Sequence, residues 1–194
     1  MRNRVSRIPL ALTALRAALG PVVVLLALLW PNPAAFAVCL TLAFLSDYFD
    51  GVIARRLGVA TPPLRRLDSI ADTVFYVSAL FAAWYLRAAL LRPYLPALLA
   101  LATLEVARYA FDFLKFGREA SYHMWSSKLW GITLVIAFYA MLVYGRAGWP
   151  VALAIYMGIA ADLEGLAISS VLREWKTDVR TIFHALELRA HLTG

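Results

Sequence analysis

The stretch Ser46–Asp72, SDYFDGVIARRLGVATPPLRRLDSIAD, carries two pairs of aspartates and lies between two strongly apolar segments. The pairs are Asp47 with Asp50, and Asp68 with Asp72. An acidic residue in or beside a membrane span is costly, so it usually marks a functional site. Residues three or four positions apart share one face of a helix. Two such pairs on neighbouring helices would present four carboxylates to one point.

Carboxylates collected in this way repel one another unless a cation lies among them. Hard oxygen ligands in this number suit one or two Mg²⁺ or Mn²⁺ ions, bound together with substrate phosphates. Cys and His are absent from the stretch, which argues against a soft metal. An alternative is that the aspartates pair with arginines of the same stretch at headgroup level. Those arginines are Arg55, Arg56, Arg65 and Arg66. This alternative does not explain two face-sharing pairs separated by the small residues Gly51 and Ala54.

The chain has the composition of a helical membrane protein. Of its 194 residues, 62% are hydrophobic and 16% charged, which is far from the mix of a soluble domain. A helix needs about 20 mostly apolar residues to cross a bilayer. Six segments qualify, at about Leu10–Trp30, Ala34–Asp50, Asp72–Leu91, Pro93–Phe113, Lys128–Tyr144 and Trp149–Leu172. Because backbone in lipid must satisfy its own hydrogen bonds, we predict an all-α membrane protein, a six-transmembrane-helix bundle.

The connections between these segments are too short for a separate soluble domain. We therefore expect one membrane domain over residues 1–194. It would comprise a cytosolic arm over about 1–9, the bundle over 10–172 and a cytosolic amphipathic tail over 173–194. Four apolar residues of the tail recur at helical spacing, which suits a helix on the inner leaflet or one packed against the bundle. They are Val179, Ile182, Phe183 and Leu186.

The distribution of basic residues predicts the orientation in the membrane. Lys and Arg mark the cytosolic side of short loops. With six spans and both termini in the cytosol, only Arg87, Arg92 and Arg146 of the nineteen basic residues fall on the far side. This arrangement predicts a protein of the cytoplasmic (inner) membrane whose aspartates face the cytosol. The net charge of +7 then reflects topology and attraction to anionic lipids, not nucleic-acid binding.

The aspartate stretch resembles the signature of the CDP-alcohol phosphotransferases (CDP-alcohol phosphatidyltransferases). The signature reads D-x-x-D-G-x-x-A-R, then eight residues, G, three residues, D, three residues and D. Seven of its eight fixed positions match, and Leu64 stands where the second glycine is expected. The matching residues are Asp47, Asp50, Gly51, Ala54, Arg55, Asp68 and Asp72. The family's P-N-x-x-T-x-x-R opening is also similar to Ile8–Arg16, which keeps Pro9, Thr13 and Arg16.

The resemblance implies a fold and a reaction. It implies six spans, cytosolic termini, a homodimer and an enzyme of the phosphotransferase class for substituted phosphate groups. The reaction would move the phosphatidyl group from CDP-diacylglycerol to a small alcohol and release CMP, in phospholipid biosynthesis. The four aspartates resemble ligands of Mg²⁺ or Mn²⁺, and Asp72 also resembles the general base. The residues that resemble the CDP-donor site are Thr13, Asp47, Gly51, Ala54, Arg55 and Thr61.

Two basic residues predict a pocket for the acceptor. Arg108 and Lys128 each fall at the cytosolic end of a predicted span. Cations at that position favour a phosphorylated alcohol, and glycerol 3-phosphate is the leading hypothesis, as in phosphatidylglycerophosphate synthases. Serine, inositol, inositol phosphate and choline are the alternatives with the same chemistry.

Two other classes of protein compete with the enzyme. A cation transporter would use the aspartates as an ion site, but transporters bind ions near the bilayer midplane on broken helices of repeated halves. Here the aspartates lie at the predicted cytosolic boundary, and no second D-x-x-D motif occurs. A membrane scaffold has no use for four acids that lack neutralising partners.

Overall fold

The computed structural model describes residues 7–58 and 61–190, with the backbone alone at Arg7, Arg55, Pro62 and Arg65. Within these ranges the regular structure is helical, as the sequence predicts. The α-helices are α1 (Arg7–Leu29), α2 (Pro33–Arg56), α3 (Pro62–Leu91), α4 (Leu95–Phe116), α5 (Trp125–Phe138), α6 (Trp149–Val171) and α7 (Ile182–Ala190). A 3₁₀-helix (Arg92–Tyr94) precedes α4, and a π-helix (Tyr139–Val143) continues α5.

The helices are long and apolar enough for an integral membrane protein. By length and composition, the described residues hold five stretches that are able to cross a membrane. One of them, Arg66–Phe116, is 51 residues long and covers two consecutive helices, most of α3 and all of α4. A non-helical backbone at Arg87 and the 3₁₀-turn interrupt it. The all-α membrane class is therefore confirmed, whereas the count of six spans and the side of the termini stay predictions.

Two helices are longer than the apolar segments that predicted them. The segments stop at Asp50 and start at Asp72, but α2 runs to Arg56 and α3 begins at Pro62. Hydropathy marks only the apolar part of a helix, while the backbone hydrogen bonds continue through its polar turns. After α2, Gly58 adopts the left-handed backbone (φ 63°) that ends helices. The aspartates consequently lie inside helices, where spacing controls the face they occupy.

The helices form two compact units. Of the described residues, 7–58, 61–91 and 138–147 make up the first unit. In it α1 packs against both α2 and α3, and the π-helix packs against α2. Val23 and Ala79 are fully buried, and the Tyr139 hydroxyl donates to the carbonyl oxygen of Ala37 at 2.9 Å. This packing holds the three helices whose polar residues form the candidate site.

A glycine on α1 permits a close approach to α3. A Cβ at Gly20 would lie 3.0 Å from Ser78 Oγ and 3.2 Å from the carbonyl oxygen of Val74. Gly20 is four residues after Arg16, so both lie on one face of α1. The close approach therefore sets the distance over which Arg16 reaches α3.

We expect Gly20→Val to lower the stability of the protein, because its branched side chain would have to push α1 away from α3. Overpacking of this kind costs about 1–3 kcal/mol. Thermal unfolding in detergent measures the effect. The matched control is Ala18→Val, since Ala18 is exposed on the same helix. Equal melting temperatures for the two variants would show that the contact at Gly20 is not tight.

Of the described residues, 92–137 and 148–190 make up the second unit. In it α4 packs against α6, and α6 packs against α7. The apolar residues of the tail are divided between core and surface. Val179, which precedes α7, is fully buried and Ile182 packs against the same core, whereas Phe183 and Leu186 are exposed. The four residues therefore do not form the single face that their spacing predicts, because α7 starts only at Ile182.

Candidate functional site

Four carboxylates from α2 and α3 lie together in the first unit. Carboxylate oxygens of Asp47, Asp50 and Asp68 all lie within 4.8 Å of one another. Asp72 is one turn beyond Asp68 on α3 and joins the group through a shared partner. The geometry follows from the sequence spacing, since each helix places its own pair on one face.

The shared partner is Arg16 of α1. Its Nη1 donates to Asp47 and, at 2.5 Å, to Asp72. Its Nη2 donates to Asp50 at 2.6 Å and to Asp68. Only 2% of the Arg16 side chain is exposed. One buried guanidinium therefore links three helices through all four carboxylates.

Thr13 is the second residue of α1, after Arg16, that lies at the site. Its hydroxyl donates to the carbonyl oxygen of Pro9 at 3.1 Å and lies 3.4 Å from Asp50 Oδ2. Thr13 precedes Arg16 by three positions, so both side chains lie on the same helix face. The threonine that the sequence assigns to the donor site is therefore beside the aspartates.

The four carboxylates differ in their access to solvent. The Asp50 side chain is 5% exposed, whereas that of Asp47 is 47% exposed. Asp68 and Asp72 are each 34% exposed. Asp50 thus forms the floor of the site, and the other three carboxylates are open to a substrate or an ion.

The residues present fit a hard divalent cation. The donor atoms are carboxylate oxygens, which Mg²⁺ and Mn²⁺ prefer, and they are close enough to share an ion. Four carboxylates surround one guanidinium, so negative charge is in excess. A cation of charge two would meet both the chemical and the electrostatic demand of this cluster.

The model of the CDP-alcohol phosphatidyltransferase family matches residues 6–161. The chain belongs to this family. The match spans α1 to the middle of α6 and includes the four aspartates, Thr13 and Arg16. No curated protein and no solved structure matches the chain.

Membership of the CDP-alcohol phosphatidyltransferases confirms the predicted family and enzyme class. Members are phosphotransferases for substituted phosphate groups and act in phospholipid biosynthesis. They transfer a phosphatidyl group from a CDP-alcohol to an alcohol acceptor and generally depend on a divalent metal. The protein is accordingly a membrane-embedded transferase.

The other residues of the family signature lie around the α2–α3 connection. Gly51 is half-buried, and Ala54 is buried four residues after Asp50 on the same face of α2. Thr61 is exposed just before α3. The backbone of Arg55 belongs to α2, but its side chain lies outside the described part of the structure. Their assignment to the CDP donor stays a prediction.

The two residues predicted for the acceptor lie in the second unit. Arg108 on α4 donates from Nε to Asp162 Oδ1 of α6 at 2.8 Å, and its guanidinium lies over the Tyr109 ring. Lys128, near the start of α5, is exposed with Nζ 4.5 Å from the centre of the Trp125 ring. Arg108 is therefore held in an ion pair, while Lys128 presents its charge at the surface.

Sequence reasoning missed a buried polar network in the same unit. The Ser169 hydroxyl donates to Asp112 at 2.5 Å, so the Tyr122 hydroxyl, 2.8 Å away, donates to Ser169. Burial raises the pKa of the Tyr122 phenol, which keeps its proton available for this bond. The one signal was the position of Asp112, four residues after Arg108 on α4.

Sequence reasoning also missed the role of Arg16. The sequence places Arg16 in the family's opening motif, but it offers nearer partners for the aspartates in Arg55, Arg56, Arg65 and Arg66. The signal that points to Arg16 is its spacing of three residues from Thr13 at the same end of α1.

Proposed function

We propose that the protein transfers the phosphatidyl group of CDP-diacylglycerol to a small alcohol, in the presence of Mg²⁺ or Mn²⁺, with release of CMP. The observation that carries this proposal is the meeting of four carboxylates from α2 and α3 beside Thr13 and Arg16 of α1. Family membership supplies the reaction class, and the cluster supplies a place for a diphosphate held through cations.

Asp72 is the proposed general base. Its side chain is one-third exposed, so a hydroxyl of the acceptor is able to reach it. The proton of that hydroxyl passes to the Asp72 carboxylate, and the oxygen attacks the phosphorus nearest to the diacylglycerol. The bond from this phosphorus to the CMP oxygen breaks, and CMP leaves with the electron pair.

Asp47, Asp50, Asp68 and Asp72 are the proposed ligands of one or two divalent ions. A bound cation would neutralise the diphosphate and stabilise the charge that develops on the departing CMP oxygen. The carboxylates themselves hold position because each pair is built into a helix, which is more precise than a loop.

We assign binding of the CDP part of the donor to Asp47, to neighbouring residues of α2 and to the connection between α2 and α3. The small residues Gly51 and Ala54 let the nucleotide approach the α2 backbone closely. Thr61 offers an exposed hydroxyl, and Arg55 offers a positive charge for the diphosphate. Thr13 is assigned to the same donor from the α1 side.

The acceptor is proposed to be a phosphorylated alcohol, with glycerol 3-phosphate first, and Arg108 and Lys128 as its binding residues. Guanidinium and ammonium groups are the usual partners of phosphate. Asp162 fixes the Arg108 side chain at 2.8 Å, which would orient its remaining donors. Serine, inositol, inositol phosphate and choline remain the alternatives.

In the membrane we propose six spans, both termini and the aspartates on the cytosolic side of the inner membrane, and a homodimer. The composite stretch Arg66–Phe116 supports the sixth span, because it holds two helices separated by a 3₁₀-turn. Labelling of single introduced cysteines on either side of sealed vesicles would check the orientation.

An acceptor panel tests the proposed function. The purified protein in nanodiscs receives labelled CDP-diacylglycerol and Mn²⁺, with glycerol 3-phosphate, serine, inositol, inositol phosphate, choline or no acceptor. We expect release of CMP that requires an acceptor, and a phosphatidyl product that chromatography identifies, with glycerol 3-phosphate most active.

Absence of CMP release with every acceptor would contradict the proposal. Activity confined to an unphosphorylated alcohol would overturn the assignment of the acceptor while leaving the reaction class intact. Metal flux across sealed vesicles without CMP release would instead identify a cation transporter.

A further inference from the structure

We propose that Arg16 is a built-in cation of the aspartate site, which holds the four carboxylates together before a divalent ion binds and competes with the ion for their oxygens. The inference rests on the proposed function only in taking Mg²⁺ or Mn²⁺ as a ligand of this cluster. It makes Arg16 a positioning residue whose effect is visible in metal affinity.

The first support is that Arg16 contacts all four carboxylates of the site. Both terminal nitrogens of Arg16 are used, and each donates to one carboxylate of α2 and one of α3. The flat fork of a guanidinium is suited to bridging several carboxylates, whereas a lysine ammonium is a single point charge. Arg16 thus sets the separation between α2 and α3 at the site.

The second support is that ion and guanidinium need the same carboxylates. Asp47, Asp50 and Asp68 each place a carboxylate oxygen within 4.8 Å of the others, and each also accepts a bond from a terminal nitrogen of Arg16. Mg²⁺ binds oxygens at about 2.0–2.1 Å and tolerates little distortion. An ion held this closely by the same carboxylates would lie beside the guanidinium, and the two positive charges would repel each other.

The third support is that, in the described part of the structure, Arg16 makes its polar side-chain contacts only through its tip. In the described part of the structure, its buried Nε has no hydrogen-bond partner. The terminal nitrogens therefore carry all its polar contacts, and those contacts are with the carboxylates themselves. When a divalent ion takes over these oxygens, nothing else in the described hydrogen bonds retains the guanidinium.

Charge gives the direction of the effect. The cluster contains four carboxylates and one guanidinium, so removal of Arg16 makes it more negative and more attractive to a cation. The same removal leaves the carboxylates to repel one another when no ion is bound. Metal affinity and metal-free stability should therefore change in opposite senses.

The test uses Arg16→Met, which keeps an unbranched stem but removes the charge and the donors. We expect the metal-free variant to unfold at a lower temperature than the wild type and to bind Mn²⁺ about tenfold more tightly. Electron paramagnetic resonance of free Mn²⁺ and calorimetric titration in detergent both measure this affinity. Arg16→Lys, with its single donor group, should bind Mn²⁺ with an intermediate affinity.

The matched control is Lys115→Met, which removes another cation that is held by hydrogen bonds within the protein and should leave Mn²⁺ affinity unchanged. Mn²⁺ binding by Arg16→Met that is unchanged or weaker than that of the wild type overturns the proposal. If Arg16→Met does not fold, the same result for Arg16→Lys overturns it. The proposed function fails separately, through absence of CMP release from a wild-type protein that binds Mn²⁺.

Discussion

Asp72→Asn is expected to lower the turnover number for CMP release by about a thousandfold, the range in which removal of a general base falls. The substitution keeps the volume of the side chain and one oxygen acceptor for Arg16, which now bonds to Asp72 at 2.5 Å. It removes the negative charge and the ability to take the acceptor's proton. The fold should survive, because three carboxylates remain around the guanidinium.

The decisive measurement is CMP release while Mn²⁺ is raised to saturation, since Asp72 is also a proposed ion ligand. Asp68→Asn is the matched comparison, because Asp68 lies one turn earlier on α3 with the same 34% exposure. Extra Mn²⁺ should restore part of the activity of Asp68→Asn and none of that of Asp72→Asn. If both variants recover alike, Asp72 is a ligand and not the base.

The pairing of the aspartates is the part of the site that local rules predict well. Spacings of three and four residues place two side chains on one helix face wherever a helix forms. Few residues separate α2 from α3 in the sequence, and both helices pack against α1, so the pairs meet. The type of each element and the membrane class follow equally directly from long apolar runs.

Arg16, the partner of those aspartates, could not be predicted from spacing along a single helix. Arg16 lies 31 residues before Asp47 and 56 before Asp72. Its contact depends on how closely α1 approaches α3, which the absence of a side chain at Gly20 allows. Spacing along one helix gives no information about the register between two helices, so it does not distinguish Arg16 from arginines nearer to the aspartates in sequence.

The same limit applies in the second unit. Arg108 and Asp162 are 54 positions apart, and their ion pair requires the register of α4 against α6. Gly165 helps to set that register, because a Cβ there would lie 2.9 Å from Arg108 Cδ. The helices α2 and α3 also extend beyond the predicted spans, since the polar turns after Asp50 and before Asp72 have no hydropathy signal. Side-chain partners on different helices therefore depend on the packing between helices, which the pattern within one helix does not predict.

Asp50→Ala is expected to abolish CMP release and to weaken Mn²⁺ binding by at least about a hundredfold, since even residues that only support a ligand cost 10–100-fold. Asp50 is the most buried of the four carboxylates, with 5% of its side chain exposed. Its Oδ2 accepts from Arg16 at 2.6 Å and lies 3.4 Å from the Thr13 hydroxyl. No other carboxylate of the cluster is placed to fill the floor of the site.

Asp112→Asn is the control, because Asp112 is an equally buried acid in a transmembrane helix of the other unit. Asparagine keeps the oxygen that accepts from Ser169, so Mn²⁺ affinity and CMP release should stay near wild-type values. Mn²⁺ titration and the CMP assay in parallel separate loss of the ion from loss of the fold. If the Asp50→Ala variant binds Mn²⁺ with normal affinity, the ion is held by the three more exposed carboxylates alone. Asp50 would then serve Arg16 instead, as the anchor that holds α1 against α2.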